Sequence, residues 1–130
     1  MGNRAVIVSS DTNKSNANKK IGVYVHWHGS EDTIKELLQV CKDRKIRGVM
    51  NDPTYGWARL CQAFADVMTE ESLNSEYESA REYAYSTGIG IGIVSTLDTY
   101  NYDNGVYYID DNFDIVKHTN GSEFDDYLYN

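Results

Sequence analysis

The predicted elements run β-β-α-α-α-β-β-β. This order assigns the chain to the α+β class, with a mainly antiparallel sheet made by an N-terminal hairpin and C-terminal strands, and two or three central helices. Three observations lead there. Residues 4–28 hold two β-rich runs around a polar turn. Residues 31–86 switch to a helical period with recognisable caps. Residues 88–118 return to a period of two. A length of 130 residues is enough for one domain, 1–130, with a real core.

The first run, residues 4–9 (RAVIVS), leads into the polar segment 11–20 (DTNKSNANKK), read as a mobile hairpin loop. In residues 21–28 (IGVYVHWH), Ile21, Val23, Val25 and Trp27 alternate with Gly22, Tyr24, His26 and His28, so residues 4–28 form a first hairpin. Thr33 and Glu36 have the spacing of a capping box, and Ile34, Leu37, Leu38 and Cys41 make one buried face. Lys42, Arg44 and Lys45 suit the negative end of that helix, and Gly48 is its expected stop.

Asp52 as N-cap and Pro53 in the first turn open the second helix, whose apolar stripe is Trp57, Leu60, Cys61, Phe64 and Met68. A third helical segment over residues 70–86 presents Leu73, Tyr77, Ala80 and Ala84 on one side and a solvated row of glutamates on the other, with Gly88 ending it. Residues 88–93 (GIGIGI) then alternate strictly, isoleucines on one face and glycines on the other. A loop rich in donors and rings (residues 98–104) and an Asn104-Gly105 turn return the chain through residues 106–109, so an antiparallel pair with one bare face is expected here. Both close packing of a helix and approach of a ligand account for such glycines. Residues 113–118 form a last strand after the 110–112 turn, and residues 122–130 a frayed acidic helical tail.

The net charge of −8 is unevenly spread. Residues 1–59 carry ten Lys and Arg against six Asp and Glu, whereas residues 60–130 carry two against fourteen. A dedicated nucleic-acid binder would be basic over a whole face, so the split argues against that class and leaves open an acidic decoy for DNA. No apolar run approaches the roughly 20 residues of a membrane span. The four-residue apolar run near the N-terminus is too short for a signal peptide, and Gly2 lacks the downstream Ser or Thr of a myristoylation site. Two cysteines make no disulfide framework, so Cys41 and Cys61 are read as reduced core residues and the chain as a soluble intracellular protein.

The glycine run is not a dinucleotide fingerprint, because its glycines alternate within a strand instead of forming a strand-to-helix turn. His26, His28 and His118 lack a carboxylate or cysteine cluster, so no metal site is assigned. No nucleophile elbow or catalytic cysteine signature is present, and nothing marks an enzyme. The aromatic residues say more. Eleven tyrosines and two tryptophans exceed the needs of a core, and many tyrosines lie among polar residues. Tyr55, Trp57 and Arg59 cluster on the second helix; Tyr100, Tyr102, Asp103 and Asn104 cluster after the glycine strand. A purine could stack on such rings, with Arg47 or Arg59 meeting phosphates and Asp103 or Asn104 meeting ribose or base. A tight homo-oligomer interface is the alternative use of the tyrosines.

Four segments carry a resemblance: MGNRAVI, IGVYVHWHG, YGWARLCQ and DNGVYYID. In this order they resemble a group of small bacteriophage and prophage proteins that share an N-R-A-V strand, a Y-[ILV]-H-W strand, a Y-G-x-A-R-L helix and a D-N-G turn. The group includes the first-described Thoeris anti-defence proteins, which sequester a cyclic ADP-ribose isomer, the signal of the bacterial Thoeris system, without degrading it. Some members form hexamers and hold cyclic oligonucleotides at separate sites. The resemblance covers about a third of the chain. It implies a non-enzymatic sponge for a cyclic nucleotide signal, acting in the cytoplasm of an infected bacterium as a dimer or hexamer. It implies no cofactor and no membrane or direct nucleic-acid partner.

Motif position carries over Arg59 and Asn104 with their neighbours. The expected ligand set is therefore Arg47, Tyr55, Trp57, Arg59, Tyr102, Asp103 and Asn104, in a pocket where the glycine strand meets the second helix, shared between subunits. Relatives have an Asn-Gly-Gly-Arg stretch where this chain has His28-Gly29-Ser30-Glu31, which puts that arginine's contact in doubt here. The acidic segment 69–86 resembles an insertion relative to shorter members. Two other readings are an acidic DNA mimic or contact inhibitor of a defence nuclease, using residues 60–130, and a small hydrolase of cyclic nucleotides.

Overall fold

A computed structural model describes residues 2–86, 88–95 and 103–119. Five strands form one sheet: β1 (Ala5–Ser9), β2 (Ile21–Val25), β3 (Ile91–Ser95), β4 (Val106–Ile109) and β5 (Ile115–Thr119), in the order β3-β2-β1-β4-β5. Every neighbouring pair is antiparallel except β1 and β4, which run parallel with Val6 opposite Val106. Three helices lie between β2 and β3 in the chain: α1 (Glu31–Asp43), α2 (Pro53–Leu73) and the short α3 (Glu78–Glu82). The fold is α+β with a mostly antiparallel sheet, as expected. Among the described residues no helix is long and apolar enough to cross a membrane.

β1 is buried along its whole length because both of its faces are covered. Ala5 and Ile7 join Val23, Val25, Tyr107 and Ile109 under the helices; Val6 and Val8 pack on the other face with Ala17, Val106 and Tyr108. The helices bring Ile34, Leu37, Leu38 and Cys41 from α1 and Trp57, Leu60, Phe64 and Met68 from α2, the two stripes read from the spacing. Burying side chains of this size contributes roughly 1.5–3 kcal/mol each before the entropy of ordering the chain is subtracted.

The hairpin of residues 4–28 forms, although β2 stops at Val25. The glycine stretch departs from expectation. Only its second half is a strand, and β3 pairs with β2 at the sheet edge rather than with the strand at 106–109. Burial explains the exchange of partners. Val106 to Ile109 are apolar on both faces and suit the interior beside β1, whereas β3 is half-exposed and, with glycine at 92, has little to bury. A methyl on Gly90 would strike His26 and the Trp27 ring at 2.6 and 2.7 Å, while one on Gly92 would meet nothing within 4 Å. A methyl on Gly88 would lie 2.3 Å from the Tyr83 carbonyl oxygen, so close approach accounts for Gly88 and Gly90 and not for Gly92.

Three further expectations are corrected. α1 begins at Glu31 behind Ser30, so Thr33 and Glu36 lie inside the helix and form no capping box; Ser30 Oγ donates to Thr33 Oγ1 instead, at 2.9 Å. Lys45, with φ of 55°, takes the left-handed position after α1, so Gly48 is not the stop. The third helix shrinks to five residues because Leu73 still belongs to α2 and only Ala84 of the expected apolar face is buried. The predicted tail at residues 122–130 lies outside the described residues.

Candidate functional site

Because β1 and β4 are parallel, the sheet has a defined carboxyl end and amino end, and polar residues gather at both. At the carboxyl end, the 110–114 turn folds over the loop between α1 and α2. Asp111 accepts the amide hydrogens of Met50 at 2.7 Å and Asn51 at 3.1 Å. A methyl on Gly48 would lie 2.3 Å from that carboxylate, so glycine is required for the approach. Gly56 has the same role at the start of α2, where a methyl would lie 2.7 Å from the Gly48 carbonyl oxygen.

The loop so anchored presents Arg47 to α2. Arg47 Nη1 donates to Asp52 Oδ2 at 2.7 Å, and its guanidinium lies 5.0 Å from the centre of the Tyr55 ring. Asp52 caps α2 by accepting from the Tyr55 amide at 3.3 Å. The Arg47 hydrogen bond, followed by that amide, holds the Asp52 carboxyl below its ordinary value. Tyr55 is 52 % exposed. Arg59, four residues on and so on the same helix face, is exposed with its Nη1 3.2 Å from Gln62 Oε1. One guanidinium therefore lies against an open aromatic ring, and a second arginine stands about one helical turn further along the same face of α2. Planar cations beside a ring face suit a ligand that is both flat and anionic.

Trp57 is not part of this surface. It is 8 % exposed and packs in the core, because a residue two positions from Tyr55 on a helix points elsewhere. The expectation that its ring stacks a base is corrected to a core role.

Asp103 and Asn104 lie at the amino end, separated from the carboxyl-end loop that carries Arg47 by the length of the β1–β4 pairing, about 10 Å over three strand steps. Both are engaged. Asp103 accepts from the Arg4 backbone amide at 3.0 Å and from its Nε and Nη2 at 3.1 Å each. That side-chain fork, with the amide behind it, holds the Asp103 carboxyl down at about 2. Asn104 Nδ2 donates to the Asn3 side chain and to the Arg4 carbonyl at 3.1 Å, and its own carbonyl accepts from His118 Nε2 at 2.6 Å. One chain thus does not bring the two halves of the predicted ligand set together. Tyr102, the remaining member, lies outside the described residues, as does Tyr100.

Residues that sequence reasoning left aside complete this amino-end cluster. Gly29 lies where a methyl would approach Asn104 Nδ2 to 2.8 Å, and its carbonyl accepts from the buried Tyr107 hydroxyl at 2.6 Å. Burial, with Glu31 adding a smaller repulsion, pushes the Tyr107 phenol up to about 12. His118 stacks on Tyr107 with ring centres 4.0 Å apart. His26 instead contacts the Tyr24 hydroxyl and the edge of Trp27, and His28 Nε2 lies 2.8 Å from Glu71 Oε2. Among the described residues, no three His, Cys, Asp or Glu side chains are grouped to hold a metal. Cys41 and Cys61 are free thiols, and burial pushes Cys41 up to about 12 and raises Cys61 too, away from the thiolate form a nucleophile needs.

No family model, curated protein or solved structure matches the chain.

Proposed function

We propose that this protein binds and sequesters a cyclic nucleotide signal of the cyclic ADP-ribose type as a phage anti-defence protein, without degrading it. The observation that carries the reading is the exposed Tyr55 ring with the Arg47 guanidinium against it and exposed Arg59 about one helical turn along the same face. A base stacks on the ring, and the two guanidinium groups hold the phosphates; Arg47 exchanges its Asp52 partner for a phosphate oxygen. Stacking of a base on an aromatic ring is worth about 1–3 kcal/mol. The resemblance of YGWARLCQ and its companion segments to anti-defence sponges supports the same reading.

Sequestration needs an enclosed ligand, and an outward-facing patch on one copy encloses nothing. The proposal therefore includes a dimer or hexamer in which a second copy closes the site. Such a closure would also allow Asp103 or Asn104 of another copy to reach a ligand that they cannot share with Arg47 within one chain. No cofactor or metal enters the proposed function.

Calorimetric titration with cyclic ADP-ribose isomers, followed by heating the complex and chromatography of the released ligand, tests it. Tight binding with ligand recovered unchanged is the expected result. Altered ligand would make the protein an enzyme, and no heat with any isomer would sink the reading.

A further inference from the structure

The ten described acidic residues of the second half do not form one DNA-like face. Asp66, Glu71, Asp103 and Asp114 are paired with Arg44, His28, Arg4 and Lys42, and Asp110 and Asp111 are held by backbone amides. Glu70, Glu76, Glu78 and Glu82 remain, all exposed and with no ion pair among the described residues, and all along the C-terminal part of α2 and the segment through α3. Arg81 is the one basic residue of segment 66–86, and it donates to the Ser75 carbonyl at 2.7 Å.

A groove of about 650 Å³ runs through this region. One wall is a single face of α2, with Asp66, Thr69, Glu70 and Leu73 at helical spacing; Tyr85 and Ile89 make the other. From Asp66 to Leu73 it follows α2 for about 10 Å, two helical turns. Leu73 is exposed and Tyr85 is 81 % exposed, and Tyr77 and Tyr83 are exposed nearby in the chain. Large apolar side chains left open beside unpaired carboxylates are an expense that folding does not require, and an apolar floor with an acidic rim is complementary to a helix with an apolar stripe and cationic flanks.

We infer that this groove is a docking surface for a cationic amphipathic helix of a partner protein, a role separate from the nucleotide site. Apolar side chains of the partner lie on Leu73 and Tyr85, and its lysines or arginines meet Glu70 and the glutamates around α3. The surface repels nucleic acid and anionic lipid for the same electrostatic reason.

A fluorescent model helix of about 18 Leu and Lys residues, with the leucines on one stripe, is titrated into the full chain beside a shuffled isomer of identical composition. The striped peptide should bind about tenfold more tightly, and Leu73→Ser with Tyr85→Ala should remove about that factor while cyclic nucleotide binding stays unchanged. Should that double variant melt early, Glu70→Lys, on an exposed helix position, must weaken the striped peptide in its place. Equal binding of both peptides, binding insensitive to these variants, or no binding at all would overturn the inference. Concentration-dependent self-association abolished by the same variants would assign the groove to a second copy and overturn the partner.

Discussion

The two ends of the sheet use the same kinds of residue to opposite effect. At the amino end, Arg4, Asp103, Asn104 and Tyr107 are joined to one another or to backbone, and the cluster fastens the first strand to a turn far along the chain. At the carboxyl end, Arg47, Tyr55 and Arg59 project from α2 and its preceding loop with only light local bonds. An arginine whose fork is filled by a carboxylate that its own backbone amide also holds is structure. One that shares a single bond beside an open ring has capacity to spare. The difference lies in hydrogen-bond saturation, not in residue type.

That contrast can be broken by experiment, beginning with the largest effect. Arg59→Ala should weaken binding of the cyclic nucleotide by about 2–5 kcal/mol, as for loss of one partner of an enclosed charge pair, with an unchanged melting temperature; calorimetry and thermal melting check both halves. Tyr55→Ala should cost about 1–3 kcal/mol of binding, again without loss of stability. If either variant binds as the parent does, the carboxyl-end patch is merely solvated surface.

The amino end should behave inversely. Tyr107→Phe leaves the Gly29 carbonyl without its buried donor and should lower unfolding free energy by about 1–2 kcal/mol in urea titrations while binding is retained. The smallest effect concerns acid. Asp103 falls from an ordinary value of 3.8 to about 2 in the folded chain, so its contribution is fully present above the ordinary value and is lost as pH falls through about 2. The stability gap between the parent and Asp103→Asn should therefore be open at pH 6 and closed at strongly acid pH. A gap that persists unchanged there would remove the Arg4 fork as its cause.

Much of the fold was legible, and the failures have a common physical origin. Stripes such as Ile34-Leu37-Leu38-Cys41 and Leu60-Phe64-Met68 report a local period and were read correctly. Strand partners are not local. The GIGIGI run and residues 106–109 are close in sequence, and their nearness suggested a hairpin, yet burial on both faces sends β4 to the side of β1. The signal was present in AVIV and VYYI, whose apolar runs without alternation mark interior strands.

The site was legible in part. Tyr55 and Arg59 stand four apart and share a helix face, while Trp57 between them cannot. Asp103 and Asn104 looked available because their partners, Asn3 and Arg4, lie about 100 residues earlier. Asp111 carries no signal in the sequence beyond turn chemistry, because its bonds to residues 50 and 51 exist only in three dimensions.

The parallel pairing of β1 with β4 sets a timetable for the protein's birth. β1 leaves the ribosome well ahead of β4, and its neighbour on one side, β2, follows within a short hairpin. Its neighbour on the other side is made only after about 100 further residues. Through that interval one edge of an apolar strand has no companion from its own chain. The sheet closes only once residues 106–109 have emerged, so a ribosome that stalls between β2 and residue 106 releases a chain whose central strand is still seeking a partner.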